Sequence, residues 1–177
     1  IDLLLKKDSD ALVKHQLQSF DDFIENVLPF IVIHQDPVKV TSDKSKSFYE
    51  YRVVNVYLSK PMIHENDRVI PLTPQMCRLR DLTYSAPRFI DIEQKGVNEQ
   101  GVEVVDRNNQ IPIDSIPIML GSRYCHLHGK TERERYSMGE CIHDRGGYFI
   151  IRGNEKVIVS QERMADNKIV VFPINKT

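Results

Sequence analysis

The stretch that decides the fold lies near the end of the chain and reads Gly-Gly-Tyr-Phe-Ile-Ile-Arg-Gly-Asn-Glu-Lys-Val-Ile-Val-Ser-Gln-Glu-Arg over residues 146–163. Two β-rich runs, 148–151 and 156–160, flank the pair Gly153-Asn154, which can supply the positive φ angles of a tight turn. Both runs are apolar on both faces, because neighbouring residues of a strand point to opposite sides. The stretch therefore predicts a β-hairpin inside a layered core.

Length and composition are those of an ordinary globular chain. Its 177 residues allow one domain with a real core, and 41% of them are hydrophobic and 28% charged. No apolar run approaches the ~20 residues that cross a bilayer, so we expect no membrane partner. The three cysteines are an odd count, which favours reduced thiols. The net charge is −1, so any contact with phosphates must come from a local patch.

The beginning of the chain predicts a long amphipathic helix. Apolar residues recur there at spacings of four, three, four and three, at Val13, Leu17, Phe20, Ile24 and Val27. Ser9 or Asp10 can cap this helix. Because Pro29 has no N–H to donate, we expect the helix to end near Leu28 and to pass into an extended segment at 30–33.

The middle of the chain predicts two strands with a hairpin between them. Residues 48–58 are rich in Tyr and Val, with four apolar side chains expected on one face, Tyr49, Tyr51, Val53 and Tyr57. Residues 89–92 and 102–105 predict a hairpin with a loose loop, and 106–110 predict another turn. Pro112 and Pro117 interrupt the strand predicted at 111–120, which therefore belongs at a sheet edge.

Short helices complete the predicted fold. Thr73-Pro74 is typical of a helix start, with a helix expected to about Asp81, and Thr131-Glu132-Arg133-Glu134 indicates a helical turn. Residues 169–172 can form a last strand. The fold class is therefore predicted as α+β, with a mostly antiparallel or mixed sheet, a long N-terminal helix and one or two short helices.

Three blocks of the chain resemble one family. They are Arg78-Leu79-Arg80-Asp81-Leu82-Thr83-Tyr84-Ser85-Ala86-Pro87, Ile116-Pro117-Ile118-Met119-Leu120 and the hairpin stretch 146–163. In this order they are similar to the N-terminal part of the second-largest subunit of multisubunit DNA-directed RNA polymerases of the archaeal, eukaryotic and large-DNA-virus kind. The family's subunit exceeds a thousand residues, so the resemblance concerns its opening portion only.

The resemblance implies a structural role. Residues 1–177 are expected to form a single domain like the first segment of the polymerase protrusion, ending near the start of the lobe insertion. In the family this region flanks the DNA cleft and is completed by sequence that returns from beyond the lobe. The implied partners are the largest and other polymerase subunits, template DNA and a TFIIB-like initiation factor. No catalytic residue or cofactor is expected in this chain, since magnesium and zinc belong to other parts of the full polymerase.

Three departures from the family pattern bear on the source, and one of them is the segment after His128, which is unlike the cellular versions. Gly121 stands where cellular members usually have Arg, and Arg88 stands where an apolar residue is usual. These differences suggest a divergent copy from a large DNA virus. The expected location is accordingly the nucleus, or a viral factory or virion.

Basic residues form the candidate nucleic-acid site. Five of them follow the second block within one polar stretch, namely Arg123, Lys130, Arg133, Arg135 and Arg145. Each neutralised phosphate releases counterions, so contact with DNA is predicted for this set. Glu132, Glu134 and Glu140 lie in the same stretch and dilute its positive field. A solvated surface is therefore the alternative interpretation.

A zinc site is the rival hypothesis. Cys125, His128, Cys141 and His143 supply two ligand pairs, as in structural zinc sites, although one pair is spaced more closely than usual. This alternative would make the chain a free-standing, zinc-stabilised regulatory or interaction module. No nucleophile elbow, phosphate-binding loop or dinucleotide fingerprint is present in the sequence, so these enzyme classes are not indicated.

Overall fold

A computed structural model describes residues 11–41, 48–97, 103–169, 171 and 173. Its first element is helix α1, which has two α-helical parts, Lys14–Asp22 and Leu28–Ile33, joined by a π turn at Phe23–Val27. The 20-residue length confirms a helix here, while the predicted caps Ser9 and Asp10 lie outside the described residues.

The prediction that α1 ends near Leu28 was wrong. The helix continues through Pro29 to Ile33, and no extended segment follows Leu28. In the π turn the N–H of Leu28 donates to the carbonyl of Phe23, five residues back, so the helix is wider just before the proline. The turn also rotates the buried face by about one residue, which buries Leu28 and leaves Val27 39% exposed.

The main sheet is antiparallel and has the strand order β1-β2-β5-β6. Its strands are β1 (Val38–Thr41), β2 (Phe48–Leu58), β5 (Ser85–Val97) and β6 (Glu103–Pro117). The edge position of β6 confirms what its prolines predicted, because an edge strand can leave backbone donors unpaired. The turn predicted at 106–110 was wrong, since these residues belong to β6.

A bulge in β2 changes which side chains share a face. The pairing of β2 with β5 shifts at Val54, between Val53 opposite Ile92 and Asn55 opposite Asp91. One extra residue reverses the alternation of side chains beyond it. Tyr57 therefore lies on the face opposite to Val53, where its ring stacks on Phe89 at 5.8 Å, and the prediction that it shares the face of Tyr49 and Tyr51 was wrong.

Smaller elements connect the sheet to the rest. Strands β3 (Met62–Glu65) and β4 (Arg68–Pro71) form a hairpin. Helix α2 (Pro74–Leu79) begins at Thr73, whose side chain accepts a hydrogen bond from the N–H of Met76, and helix α3 (Glu132–Ser137) begins with a capping box. Both helix starts were predicted from sequence, whereas the β3–β4 hairpin was missed.

The hairpin of the deciding stretch is present but shorter than predicted. It consists of β7 (Phe149–Ile151) and β8 (Asn154–Lys156). The turn residues are Arg152 and Gly153, with φ angles of 49° and 75°, one position earlier than predicted. This earlier turn places the second strand at 154–156, and the apolar residues 157–159 lie outside it and are exposed.

Strand β7 is the part of the hairpin that lies inside the core. The carbonyl of Ile150, a completely buried residue, accepts from the N–H of Tyr84 at 2.9 Å, and the carbonyl of Tyr148 accepts from Leu120 at 2.9 Å. Tyr84 in turn accepts from Ile118 at 2.9 Å. All three blocks that resemble the polymerase family therefore meet at β7, while β8 is exposed.

The core lies between α1, the main sheet and β7. Its buried residues include Phe20, Ile24, Val56, Ile90 and Ile150. Of the last predicted strand, Ile169 and Val171 are not in a strand, and residues 170 and 172 lie outside the described part. The fold is thus α+β with antiparallel sheets, as predicted. No helix in the described ranges is long and apolar enough to cross a membrane.

Candidate nucleic-acid interface

Arg123 faces the helix α1. One of its terminal nitrogens donates to both carboxylate oxygens of Glu25 at 2.7 Å, and its backbone N–H donates to Asp21 at 3.1 Å. Hydrogen bonding and charge from Glu25 raise the pKa of Arg123 above its ordinary value. Its guanidinium is thus partly neutralised within the chain, although the side chain is 60% exposed.

Three further candidates lie at or on helix α3, and they differ in availability. Lys130 forms an ion pair with Glu134 at 3.3 Å. Arg135 points inward and donates to the backbone carbonyl of Asp144 at 3.4 Å. Arg133 is exposed and makes no hydrogen bond or ion pair with any described residue. Of these three, Arg133 is the cation that α3 presents to solvent.

Arg145 lies in the loop that precedes β7. The loop approaches Gly121 closely, because the N–H of Gly147 donates to Leu120 at 2.9 Å. A Cβ atom on Gly146 would lie 2.3 Å from the carbonyl oxygen of Leu120, so this position requires glycine. The close approach places the exposed Arg145 beside the segment that carries Arg123. The structure therefore divides the five predicted cations between α3 and this loop junction.

A partly buried ion cluster that the sequence did not indicate supports this loop. Arg78 on α2 donates to Glu140 and Glu155, at 2.7 and 2.8 Å, and lies 3.7 Å from Asp144. The side chain of Glu140 is only 1% exposed. Burial alone lowers the pKa of Arg78, but the hydrogen bonds that it donates to Glu140 and Glu155 outweigh this effect and hold the pKa above its ordinary value. We call Arg78, Glu140, Asp144 and Glu155 the Arg78 cluster.

Tyr148 completes the contacts of this cluster. Its hydroxyl accepts a hydrogen bond from Arg78 at 2.8 Å and donates to Asp144. Burial, followed by the hydrogen bond to Asp144, raises the pKa of Tyr148 well above its ordinary range, so the phenol stays protonated. The loop that carries Arg145 is thus fixed at both ends, by Glu140 before it and Tyr148 after it.

The four candidate zinc ligands have different surroundings. Cys125 is buried, and its sulfur accepts from the hydroxyl of Tyr84 at 3.4 Å. Cys141 is exposed, and one ring nitrogen of His128 lies 3.3 Å from the carbonyl of Gly121. Within the described residues, no three His, Cys, Asp or Glu side chains form a group that could hold a metal ion. No observation on these four residues favours the zinc module.

An apolar groove runs between α1 and the hairpin. It has a volume of about 570 Å³ and its walls include Phe20, Phe23, Ile116, Phe149, Val157 and Ile158. Phe23 is 40% exposed, and Val157 and Ile158 are each 62% exposed. The side chain of Gln16 donates to the carbonyl of Ile158 at 2.8 Å and holds the far wall in place. Apolar surface of this kind is typical of a region that another segment covers.

Comparison with known proteins identifies the family. A family model described as RNA polymerase beta subunit matches residues 11–168. The chain belongs to this family. It is 41% identical to DNA-directed RNA polymerase II subunit RPB2 of Encephalitozoon cuniculi over 170 residues, and 37% identical to subunit Rpo2N of Methanocaldococcus jannaschii over 164 residues. It is also 42% identical to RNA polymerase III subunit RPC2 of Schizosaccharomyces pombe over 162 residues.

These alignments cover only part of the relatives. They take in 92%, 90% and 91% of this chain, but 15%, 32% and 13% of the three relatives in the same order. The chain corresponds to the N-terminal region of the second-largest RNA polymerase subunit, as the resemblance of its three blocks predicted.

Proposed function

We propose that this chain forms the first segment of the protrusion in the second-largest subunit of a DNA-directed RNA polymerase, on one flank of the DNA cleft in a multisubunit nucleotidyltransferase. The observation that carries the proposal is the family match over residues 11–168, with relatives named as RNA polymerase II, III and archaeal subunits. The chain contributes structure and guides DNA, and it performs no catalytic step itself. Magnesium and zinc are bound by other parts of the complete enzyme.

Purification from the native source tests this assignment. A tag on the chain should recover the largest polymerase subunit in stoichiometric amount, and the recovered complex should synthesise RNA from template DNA. The purified 177-residue chain should synthesise none. A tagged chain that is recovered free of polymerase subunits, with about one zinc ion per chain, would favour the zinc module instead.

The apolar groove supports the proposal that this domain is the first segment of the protrusion. A later segment of the same subunit, returning from beyond the lobe, would cover Phe23 and Val157 and complete the core. Phe23→Asp should then abolish co-purification of the two segments when they are co-expressed. Phe30→Asp is the matched control, because Phe30 is 63% exposed on the same helix but does not line the groove. Equal loss in both variants would contradict the proposed occupant.

The five predicted cations are proposed to lie toward DNA, with a TFIIB-like initiation factor as a further partner. Support comes from the exposed Arg133, which makes no hydrogen bond or ion pair with a described residue, whereas Arg123, Lys130 and Arg135 have partners within the chain. Arg133→Gln should weaken retention of DNA by the polymerase, and Arg135→Gln should not do so directly. The nucleus is the proposed location, or a viral factory or virion if the source is viral. Imaging of the tagged subunit distinguishes these sites.

A further inference from the structure

The main sheet has two parts, and only one of them packs on the hydrophobic core. The sheet residues that lie in the core or against it run from Val53 onward in β2, up to Ile92 in β5 and from Ile111 onward in β6. We call these parts of the three strands the base. Among the described residues, strand β1 and the rest of the three strands contribute no side chain to the core. We call them the arm, which comprises β1 and residues 48–52, 93–97 and 103–108.

Two bulges face each other at the border between the base and the arm. In β2 the extra residue is Val54, which comes just before the partner of Asp91. In β6 the residues 109–110 lie between the partners of Ile90 and Ile92, so both stand opposite Asp91. A bulge interrupts the ladder of hydrogen bonds and bends its strand. The sheet is therefore interrupted at one level on both sides of β5.

The carboxylate of Asp91 joins the three strands at this level. Its Oδ1 accepts from the backbone N–H of Gln110 at 2.8 Å and from the hydroxyl of Tyr57 at 3.3 Å, and its Oδ2 accepts from the side chain of Asn55 at 3.5 Å. Gln110 has a φ of 58°, a left-handed conformation that is uncommon for residues other than glycine. Asn55 also accepts from the N–H of Val56 at 2.9 Å. Polar side chains thus satisfy backbone groups that the bulges displace.

The arm has its own internal contacts but few buried ones to the base. The ion pairs of Glu93 with Lys95 and Arg107 join residues of the arm to each other. The fourth connection between arm and core is the segment 34–37 between α1 and β1, which is irregular and mostly exposed. Regions with few buried apolar contacts open with the least free energy. The level of Asp91 is therefore the place where the sheet bends most easily.

We propose that Asp91 pins a joint in the main sheet. Its three hydrogen bonds hold the arm at one angle to the base, and the arm turns as a unit when they are lost. The arm stays together because its strands remain paired beyond the bulges. The base does not follow, since Val56 and Ile90 are buried in the core. The joint is a property of this chain's own residues, whether or not the chain flanks DNA.

Distances between spin labels test the joint in the complete subunit, assembled with its partners. A non-natural amino acid carries the labels, so the native thiols stay unlabelled. One pair joins the arm to helix α3, at positions 105 and 136, and reference pairs lie within the arm, at 38 and 105, and between α2 and α3, at 79 and 136. All four of these side chains are exposed. At about 3.3 Å per residue, position 105 lies roughly 15 Å from the bulge, so a turn of about 15° moves it by about 4 Å.

Two substitutions of Asp91 separate its hydrogen bonds from its mere presence. Asp91→Ala should shift or broaden the 105–136 distance distribution by about 4 Å and leave both reference pairs unchanged. Asp91→Asn keeps an acceptor oxygen for Gln110 and Tyr57, so it should retain most of the wild-type distribution. An unchanged 105–136 distance in Asp91→Ala, or an equal change in Asp91→Asn, would overturn the proposal. A broadened 38–105 distance would also overturn it, because the arm would then unfold and not turn.

Asp114→Ala is the matched control on the same pair of strands. Asp114 accepts from Arg88 at 2.8 and 2.6 Å, across β5 and β6 and beside another irregularity of their pairing. It lies within the base, where Ile111 and Ile116 pack against the core. All three distances should therefore stay unchanged. A 105–136 shift as large as that of Asp91→Ala would remove the special role of Asp91.

Hydrogen exchange in the wild type tests the pin without any substitution, and so applies even if Asp91→Ala does not assemble. The amide of Gln110 is measured in the assembled polymerase with single-residue resolution. It should exchange much more slowly than an unstructured amide, because Asp91 accepts its hydrogen bond. Exchange at the rate of an unstructured amide would show that Asp91 does not hold β6, and would overturn the proposal.

Discussion

Arg78 and Glu93 each stand at the centre of an ion cluster, and the two clusters have opposite designs. Arg78 is one cation among three carboxylates, and its side chain is 21% exposed. Glu93 is one carboxylate between two cations at the sheet surface. Arg78 contacts residues 62 and 77 positions away in the chain, whereas Arg107 is only 14 positions from Glu93.

The two clusters therefore connect different parts of the structure. The Arg78 cluster joins α2 to β8 and to the loop before β7, so its contacts exist only in the finished tertiary structure. The Glu93 pairs join β5 and β6, which already form a hairpin through their backbones. We therefore expect the first cluster to act mainly on stability and the second to act mainly on the surface potential.

Arg78→Met should have the largest effect on stability. It leaves the carboxylate of Glu140 buried without its cation, and removal of one partner of a buried ion pair costs about 3 kcal/mol. The free energy of unfolding in urea measures this loss. Arg163→Met, which removes an exposed ion pair, should change it by less than about 0.5 kcal/mol. Similar losses in the two variants would show that the Arg78 cluster stabilises the fold no more than an exposed ion pair does.

A double-mutant cycle tests whether Arg78 and Glu140 stabilise the fold as a pair. Glu140→Gln alone should destabilise the fold, because the hydrogen bond from Arg78 loses its charge. In an Arg78→Met background the same change should cost much less, since the uncompensated carboxylate is removed. The coupling free energy between the two positions should reach at least about 1 kcal/mol. Additive losses would mean that the two side chains do not act as a pair.

The Glu93 pairs should have a smaller effect, which depends on pH and salt. Hydrogen bonds from Lys95, then from Arg107, hold the pKa of Glu93 below its ordinary value of 4.5. Because the folded-state pKa is lowered, the contribution to stability is present at neutral pH and is lost as the pH falls through that lowered pKa. Glu93→Gln should lower the urea midpoint at pH 7, but not in about 1 M salt or in strong acid. A difference that persists in strong acid would contradict this.

Thiol labelling should detect the smallest changes. Cys77, the residue before Arg78, is buried, and burial raises its pKa to about 11, whereas Cys141 is exposed. Iodoacetamide at pH 8 should therefore add one carbamidomethyl group to the folded chain, at Cys141. Because the folded state holds the Cys77 thiol protonated while the unfolded chain can lose this proton, the free energy of unfolding should fall as the pH rises from 9 to 11. Rapid labelling of Cys77 in the wild type would contradict the burial, and faster labelling in Arg78→Met would report local opening.

Much of the local structure follows from sequence signals. Thr73-Pro74 and Thr131 with Glu134 predicted the starts of α2 and α3, because capping uses side chains within four residues. Pro112 and Pro117 predicted an edge strand, since proline removes a backbone donor. The hairpin at β7 was predicted from its composition, with its turn displaced by one residue.

Other features depend on contacts that periodicity does not encode. The π turn carries α1 past Pro29, and the bulge at Val54 moves Tyr57 to the other face. The π turn and the bulge each shift the residues that follow them, and no distinctive sequence pattern accompanies either one. The Asn66-Asp67 pair was a signal for the missed β3–β4 hairpin, because both residues tolerate the positive φ angles found there. The ion pairs of Glu93 required the strand register, and the Arg78 cluster required the tertiary fold.

The position of β7 also sets an order for folding during synthesis. All four strands of the main sheet have left the ribosome once Pro117 has emerged, and each contacts a strand close to it in sequence. The backbone N–H groups of Tyr84 and Leu120 nevertheless have no partner until Ile150 and Tyr148 are synthesised, some thirty residues beyond Pro117. Until then these backbone groups lack their partners in β7, and the core is incomplete. A nascent chain of this length is therefore the stage at which a chaperone would bind most strongly.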